Sequence, residues 1–174
     1  KKALEARYNL DKPVGEQFLI YIKNFLHGDL GVSLKTGRSI STVIGESFPI
    51  SAKLGGMAAI TAAIVGLILG SIAALKRNTF IDRFIVFITT LFTAVPSFVL
   101  ATLLLYVFCI ILKWSPVFDP DKTHYVLPVI ALALYPMAYI TRLTKTSMLD
   151  ALSQDYIRTA NAKGVAGWKV IFKH

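Results

Sequence analysis

Two stretches of this sequence are too long and too free of charge to be ordinary soluble helices. Residues 54–75 (LGGMAAITAAIVGLILGSIAAL) and 84–112 (FIVFITTLFTAVPSFVLATLLLYVFCIIL) contain no Asp, Glu, Lys, Arg or His. A helix rises about 1.5 Å per residue and the hydrocarbon core is about 30 Å thick, so about 20 apolar residues cross it. Helices that line a soluble core keep a polar stripe at a period of about 3.6 residues, and neither run has one. A third run, 125–140 (YVLPVIALALYPMAYI), is shorter. Thr141, Leu143 and a snorkelling Arg142 extend it to about residue 146. The expected fold class is therefore an all-α membrane protein, a transmembrane helix bundle with spans at 54–75, 84–112 and 125–146.

Composition agrees and narrows the rest. With 55% hydrophobic residues the chain is not disordered, and its single cysteine, Cys109, excludes an internal disulfide framework. A formal charge of +9 fits a membrane protein or a nucleic-acid binder, and the charges decide for the membrane by falling between the apolar runs. Loop 76–83 carries Lys76, Arg77 and Arg83 against Asp82. Segment 147–174, with Arg142 and Lys145 just before it, carries Arg158, Lys163, Lys169 and Lys173 against Asp150 and Asp155. Loop 113–124 balances Lys113 and Lys122 with Asp119 and Asp121. Basic residues stay on the cytoplasmic side, so 76–83 and 147–174 are expected there, with 113–124 and 1–50 outside. The opening KKALEARYNL has no apolar run that would export residues 1–50, so the chain reads as a piece of a longer protein. Within 1–50, Phe18, Leu19, Ile22 and Phe25 recur at helical spacing over 15–26, and His27-Gly28-Asp29 breaks the pattern. A second amphipathic stretch, 39–48, is expected to stop at Pro49.

Inside the spans, proline and glycine carry the signals. A straight helix over 84–112 would be roughly 43 Å long, and Pro96 near its middle cannot donate to the carbonyl of Phe92. A kink is expected there, with Thr93 or Ser97 re-satisfying the backbone; Pro136 raises the same question in the third span. Thr93, Pro96, Ser97 and Pro136 are therefore candidate hinge residues of a translocation path. Gly66 and Gly70 form a GxxxG in the first span, a device for close helix packing.

The tail is the most informative segment. Met148, Leu149, Leu152, Tyr156, Ile157 and Ala160 continue a helical pattern past the third span. Ser153 is expected to cap a fresh start, Asp155 to sit in the first turn, and Gly164 to follow the last turn. A short helix over 154–163 results. Its string, Gln154-Asp155-Tyr156-Ile157-Arg158-Thr159-Ala160-Asn161-Ala162-Lys163-Gly164, resembles the EAA loop of ABC-importer permeases of the oligopeptide/dipeptide/nickel type. Arg158 and Thr159 stand where that pattern has Glu and Ala. Asn9-Leu10-Asp11-Lys12-Pro13, Gly28-Asp29-Leu30-Gly31-Val32-Ser33, Pro96-Ser97-Phe98 and Arg142-Leu143-Thr144-Lys145-Thr146-Ser147-Met148 resemble the same family in the same order.

The resemblance implies a six-span permease subunit of an ATP-driven importer for peptides or a related solute, in the bacterial plasma membrane. It implies that Asp155, Tyr156, Arg158, Thr159, Ala160, Lys163 and Gly164 dock into a cytoplasmic ATPase, with Ala160 and Gly164 allowing close approach. The implied partners are two ATPase subunits holding ATP and Mg, a second homologous permease, an extracytoplasmic solute-binding protein and membrane lipid, but no nucleic acid. No catalytic residue, metal or cofactor is expected on this chain. Gly31 to Ser39 imitates a P-loop poorly, with the wrong glycine spacing and Arg38 for lysine. His27, His124 and His174 lack metal-ligand spacing. Two other readings are a secondary transporter or channel, disfavoured by the lack of ionisable groups within 54–75, 84–112 and 125–140, and a membrane scaffold whose basic tail binds lipid.

Overall fold

The computed structural model describes residues 12–33, 35–116 and 124–173, which fall into two compact units, Lys1–Ala52 and Lys53–His174. Among the described residues every regular element is helical: α1 (Val14–Leu26), α2 (Ile40–Leu75), α3 (Phe80–Ala94), α4 (Ser97–Leu105) running into a π-helical turn (Tyr106–Ile111), α5 (Val126–Leu152), α6 (Asp155–Ala162) and α7 (Gly167–Lys173). Asn9, Leu10 and Asp11, Leu34, the loop charges Asp119, Asp121 and Lys122, and His174 lie outside the described residues.

In the first unit, Pro13 opens α1, its carbonyl accepting from the backbone N–H of Glu16 and Gln17. Proline suits that place because its missing N–H has no partner there anyway. The helix ends at His27, as the His27-Gly28-Asp29 break predicts, and Gly28 follows at φ +82°. None of its residues is buried, so Phe18, Leu19 and Phe25 are exposed. Gly31 to Ser39 closes on itself through Val32 and Ser39, with Ser33 N–H donating to Arg38 O.

Helix α2 corrects the expected stop at Pro49: the proline lies inside the helix. Proline in a helix forfeits one hydrogen bond and crowds the carbonyl four residues back. That carbonyl belongs to Gly45, and the local penalty is about 3 kcal/mol, yet the helix continues over 36 residues.

In the second unit α5 is the central strut. Ala58 and Ala62 of α2 pack against Val129 and Ala133 of α5. Further along, a Cβ on Gly66 would lie 2.8 Å from Ile140 Cγ2, and one on Gly70 only 2.6 Å from the Thr141 carbonyl and Thr144 Cβ. The paired positions rise together, so α2 and α5 run parallel and in near backbone contact. Gly66 and Gly70 thus have their partner within this chain.

Helices α2 and α5 are long and apolar enough to cross a membrane, whereas α3 and the Ser97–Ile111 segment qualify only as a pair, bent by 102°. The kink expected near Pro96 is a full break of the helix, and the pair is either one broken span or a re-entrant turn. The residue before a proline is steered away from α geometry. Val95 (φ −90°, ψ 131°) and Pro96 (φ −55°, ψ 136°) are both extended, so the helix breaks rather than bends. Thr93 does not compensate the break, because its hydroxyl donates to the Thr89 and Thr90 carbonyls. Pro136, by contrast, sits inside an unbroken α5. That helix runs on to Leu152, as the helical pattern past the third span predicts.

Candidate functional site

The end of the bundle where α5 terminates holds the residues that the sequence singled out for coupling. Ser153 does not start α6. It closes α5, its hydroxyl donating to Asp150 O at 2.7 Å, and Gln154, extended at ψ 151°, precedes Asp155 without a side-chain cap. Asp155 provides a negative charge in the first turn, where the exposed helix N–H groups favour it.

The C-terminal end is closed as Gly164 predicts. Gly164 lies at φ +72°, its N–H donates to Asn161 O at 3.0 Å, and Val165 N–H donates to Ala160 O at 3.2 Å. This is the Schellman pair of bonds, which satisfies the last carbonyls and requires a left-handed residue at that place. The apolar contact that accompanies it is present too. Ile157, Ala160 and Val170 form a small core, flanked by Leu152 and Val165, and so fold α6 against α7. Among the described residues that core draws on α6, α7, the loop between them and the end of α5, so α6 is a coiled stub with its own small core.

Ala160 is consequently reassigned. At 6% exposure it faces Val170, and its small size serves packing between α6 and α7 rather than approach by a partner. Asp155, Tyr156, Arg158, Thr159, Lys163 and Gly164 are all exposed. The Arg158–Asp155 pair, 3.6 Å apart with side chains 77% and 96% exposed, leaves both charges available. A Cβ on Gly164 would meet nothing within 4 Å, so the glycine leaves an open notch.

The hinge candidates divide. Ser97 and Pro136 line one cleft of about 580 Å³ with Phe98, Ala101, Leu132 and Tyr135. Thr93 and Pro96 are absent from its wall; they mark the break itself. The cleft wall carries no ionisable group other than the Tyr135 phenol.

One contact escaped the sequence reading. Asp82, in the first turn of α3, is buried, and its carboxylate accepts from Lys145 Nζ at 2.5 Å and from the backbone N–H of Asn78 at 3.0 Å. On sequence both side chains enter as charges setting sidedness, Lys145 also within the family-like string Arg142 to Met148. The available signal was that Asp82 is the sole acid in a basic loop; its partner, 63 residues away, leaves no local trace. Among the described residues, no three His, Cys, Asp or Glu side chains come together as a metal site.

Residues 66–174 match the family described as "Binding-protein-dependent transport system inner membrane component". The chain is 45% identical, over its whole length, to the dipeptide transport system permease protein DppB of Bacillus subtilis. It is 40% identical over 98% of its length to the oligopeptide transport system permease protein OppB of Salmonella typhimurium, and 35% identical, again over 98%, to DppB of Lactococcus lactis. It spans 57% of the length of each of these relatives.

Proposed function

Because the chain belongs to the family of binding-protein-dependent transport system inner membrane components, we propose that it is the part of an ATP-driven importer permease that links the solute path to the motor. The observation that carries this reading is α6. It is a short helix closed at Gly164, anchored on its own small core, and it presents Asp155, Tyr156, Arg158, Thr159 and Lys163 to the surroundings. Such a stub suits a groove on a cytoplasmic ATPase. Arg158 and Lys163 would donate charge-assisted bonds to it, and the notch at Gly164 would admit an opposing side chain.

In this reading two ATPase subunits hold the ATP and Mg, and the chain performs no hydrolysis. Their closure displaces α6, which moves α5, and α5 carries α2 through the close glycine seam. Movement of packed elements between discrete arrangements is the usual means of alternating access. A second homologous permease would complete the path, and an extracytoplasmic binding protein would deliver the solute to the opposite face of a bacterial plasma membrane. The relatives are named for dipeptide and oligopeptide transport, and we take peptides as the solute class. A cleft wall without charged groups, beside a break at Val95–Pro96, suits passage of a zwitterion that must not be held tightly.

Gly164→Asp tests this directly. Aspartate tolerates the left-handed region better than most residues, so α6 persists and the change acts at the surface. The expected result is loss of ATPase co-purification and of peptide uptake, with membrane insertion unchanged. Normal ATPase binding by this variant overturns the assignment.

A further inference from the structure

We infer that Asp82 and Lys145 are positioning residues that lock α5 to the start of α3, so that displacement of α6 reaches the broken helix pair; this rests on reading α6 as the coupling helix. The argument begins with the two carboxylate oxygens, which serve different elements. Oδ2 accepts the N–H of Asn78, a residue at φ +64° in the turn that leads out of α2. Oδ1 meets Lys145 on α5. Asp82 itself belongs to α3. One side chain therefore joins the exit of α2, the entry of α3 and the last third of α5.

The surroundings give this junction its meaning. Lys145 lies about two helical turns before the end of α5, and α6 starts at Asp155 directly beyond. At the same level, Gly70 presses on the Thr141 carbonyl and on Thr144. Helix α5 is thus gripped by α2 through backbone contact and by α3 through a charge pair, and it cannot slip past either. The far end of α3 is the break at Val95–Pro96, where two extended residues interrupt the helix. A buried ion pair is a poor source of stability, because desolvation offsets most of the attraction and an apolar pair packs as well. Other ion pairs among the described residues are more exposed: Arg38–Glu46 and Arg158–Asp155 lie at the surface, and Lys12–Glu16 joins a half-buried lysine to an exposed glutamate. What the Asp82–Lys145 pair, with its aspartate buried and its lysine half-buried, adds is a fixed direction and register between two helices.

The test uses the complete importer, with its ATPase subunits and binding protein, in lipid vesicles. Asp82→Asn, Lys145→Met, the double variant and Lys145→Arg are compared by ATPase co-purification, ATP hydrolysis and peptide uptake per ATP. The single variants and the double variant should keep the ATPase bound and hydrolysing while uptake per ATP falls about tenfold. Lys145→Arg, which keeps the charge, should stay within about twofold. The double variant leaves no buried charge unpaired, so it reports even where a single variant fails to fold. An unchanged uptake-to-hydrolysis ratio in the double variant overturns the inference, as does an equal fall of both rates, which marks a merely structural role. Failure of the coupling-helix reading appears elsewhere, as an unaltered protein that binds no ATPase. In that case spin labels at Phe87 and Leu103, both exposed, still decide: a distance distribution no broader in the double variant overturns the positioning role.

Discussion

Helix α5 is packed on two sides by two different kinds of neighbour. Towards α2 the contact is a seam of Ala58, Ala62, Gly66 and Gly70, where absent side chains let two continuous helices touch backbone to backbone. Towards α3 and α4 the neighbour is one apolar run broken in two. Both sides contain proline: Pro49 lies inside α2, Pro136 inside α5, and Pro96 at the break. Proline alone therefore does not set the outcome. What distinguishes Pro96 is its approach. Thr89, Thr90 and Thr93 turn their hydroxyls back onto carbonyls of the preceding turn, which loosens and bends a helix. The β-branched Val95 then precedes the ring, adding its own reluctance to be helical. Pro49 and Pro136 follow Phe48 and Tyr135 with no such run before them.

The contrast gives three measurements of decreasing effect. Gly70→Leu attacks the seam where it is tightest. The obstacle is the Thr141 carbonyl at 2.6 Å, which cannot rotate away, so the helices must separate. A loss of about 3 kcal/mol or more is expected, read by denaturation of the full-length permease in detergent; tolerance of leucine would mean that the seam is looser than backbone contact. Pro96→Ala acts on the other side. If the proline holds the break open, alanine lets α3 and α4 merge. A spin-label distance from Phe87 to Leu103 then lengthens towards the roughly 24 Å of a continuous helix. An unchanged distance assigns the bend to packing on α5 instead. Pro136→Ala should do least: it restores one hydrogen bond to the Leu132 carbonyl in a helix that is already continuous. A gain of about 1 kcal/mol with no change in shape is expected, and a visible change in helix direction would show that Pro136 bends α5.

Much of this was legible locally. The apolar runs mark where helices must lie in a membrane protein, because a lipid-facing backbone has no other way to satisfy its polar groups. Gly164 announces the end of α6, since few residues accept its left-handed geometry, and His27-Gly28-Asp29 announces the end of α1 similarly. Errors arose where one residue has two local readings. Ser153 can begin a helix or close one, and its hydroxyl closes α5. Ala160 is small enough to be a docking surface or a packing surface, and Val170, ten residues on, makes it the latter.

By itself, then, the sequence determined the helical class, the apolar stretches that become the long helices, and the self-contained stub that ends at Gly164. These follow from periodicity, desolvation and single-residue backbone preference, all of which act within a turn or two. Tertiary structure alone decided that Gly66 and Gly70 meet α5 and that Asp82 reaches Lys145. Each of those outcomes compares a small local penalty with contacts made by residues distant along the chain, and nothing within either partner's own neighbourhood encodes that balance.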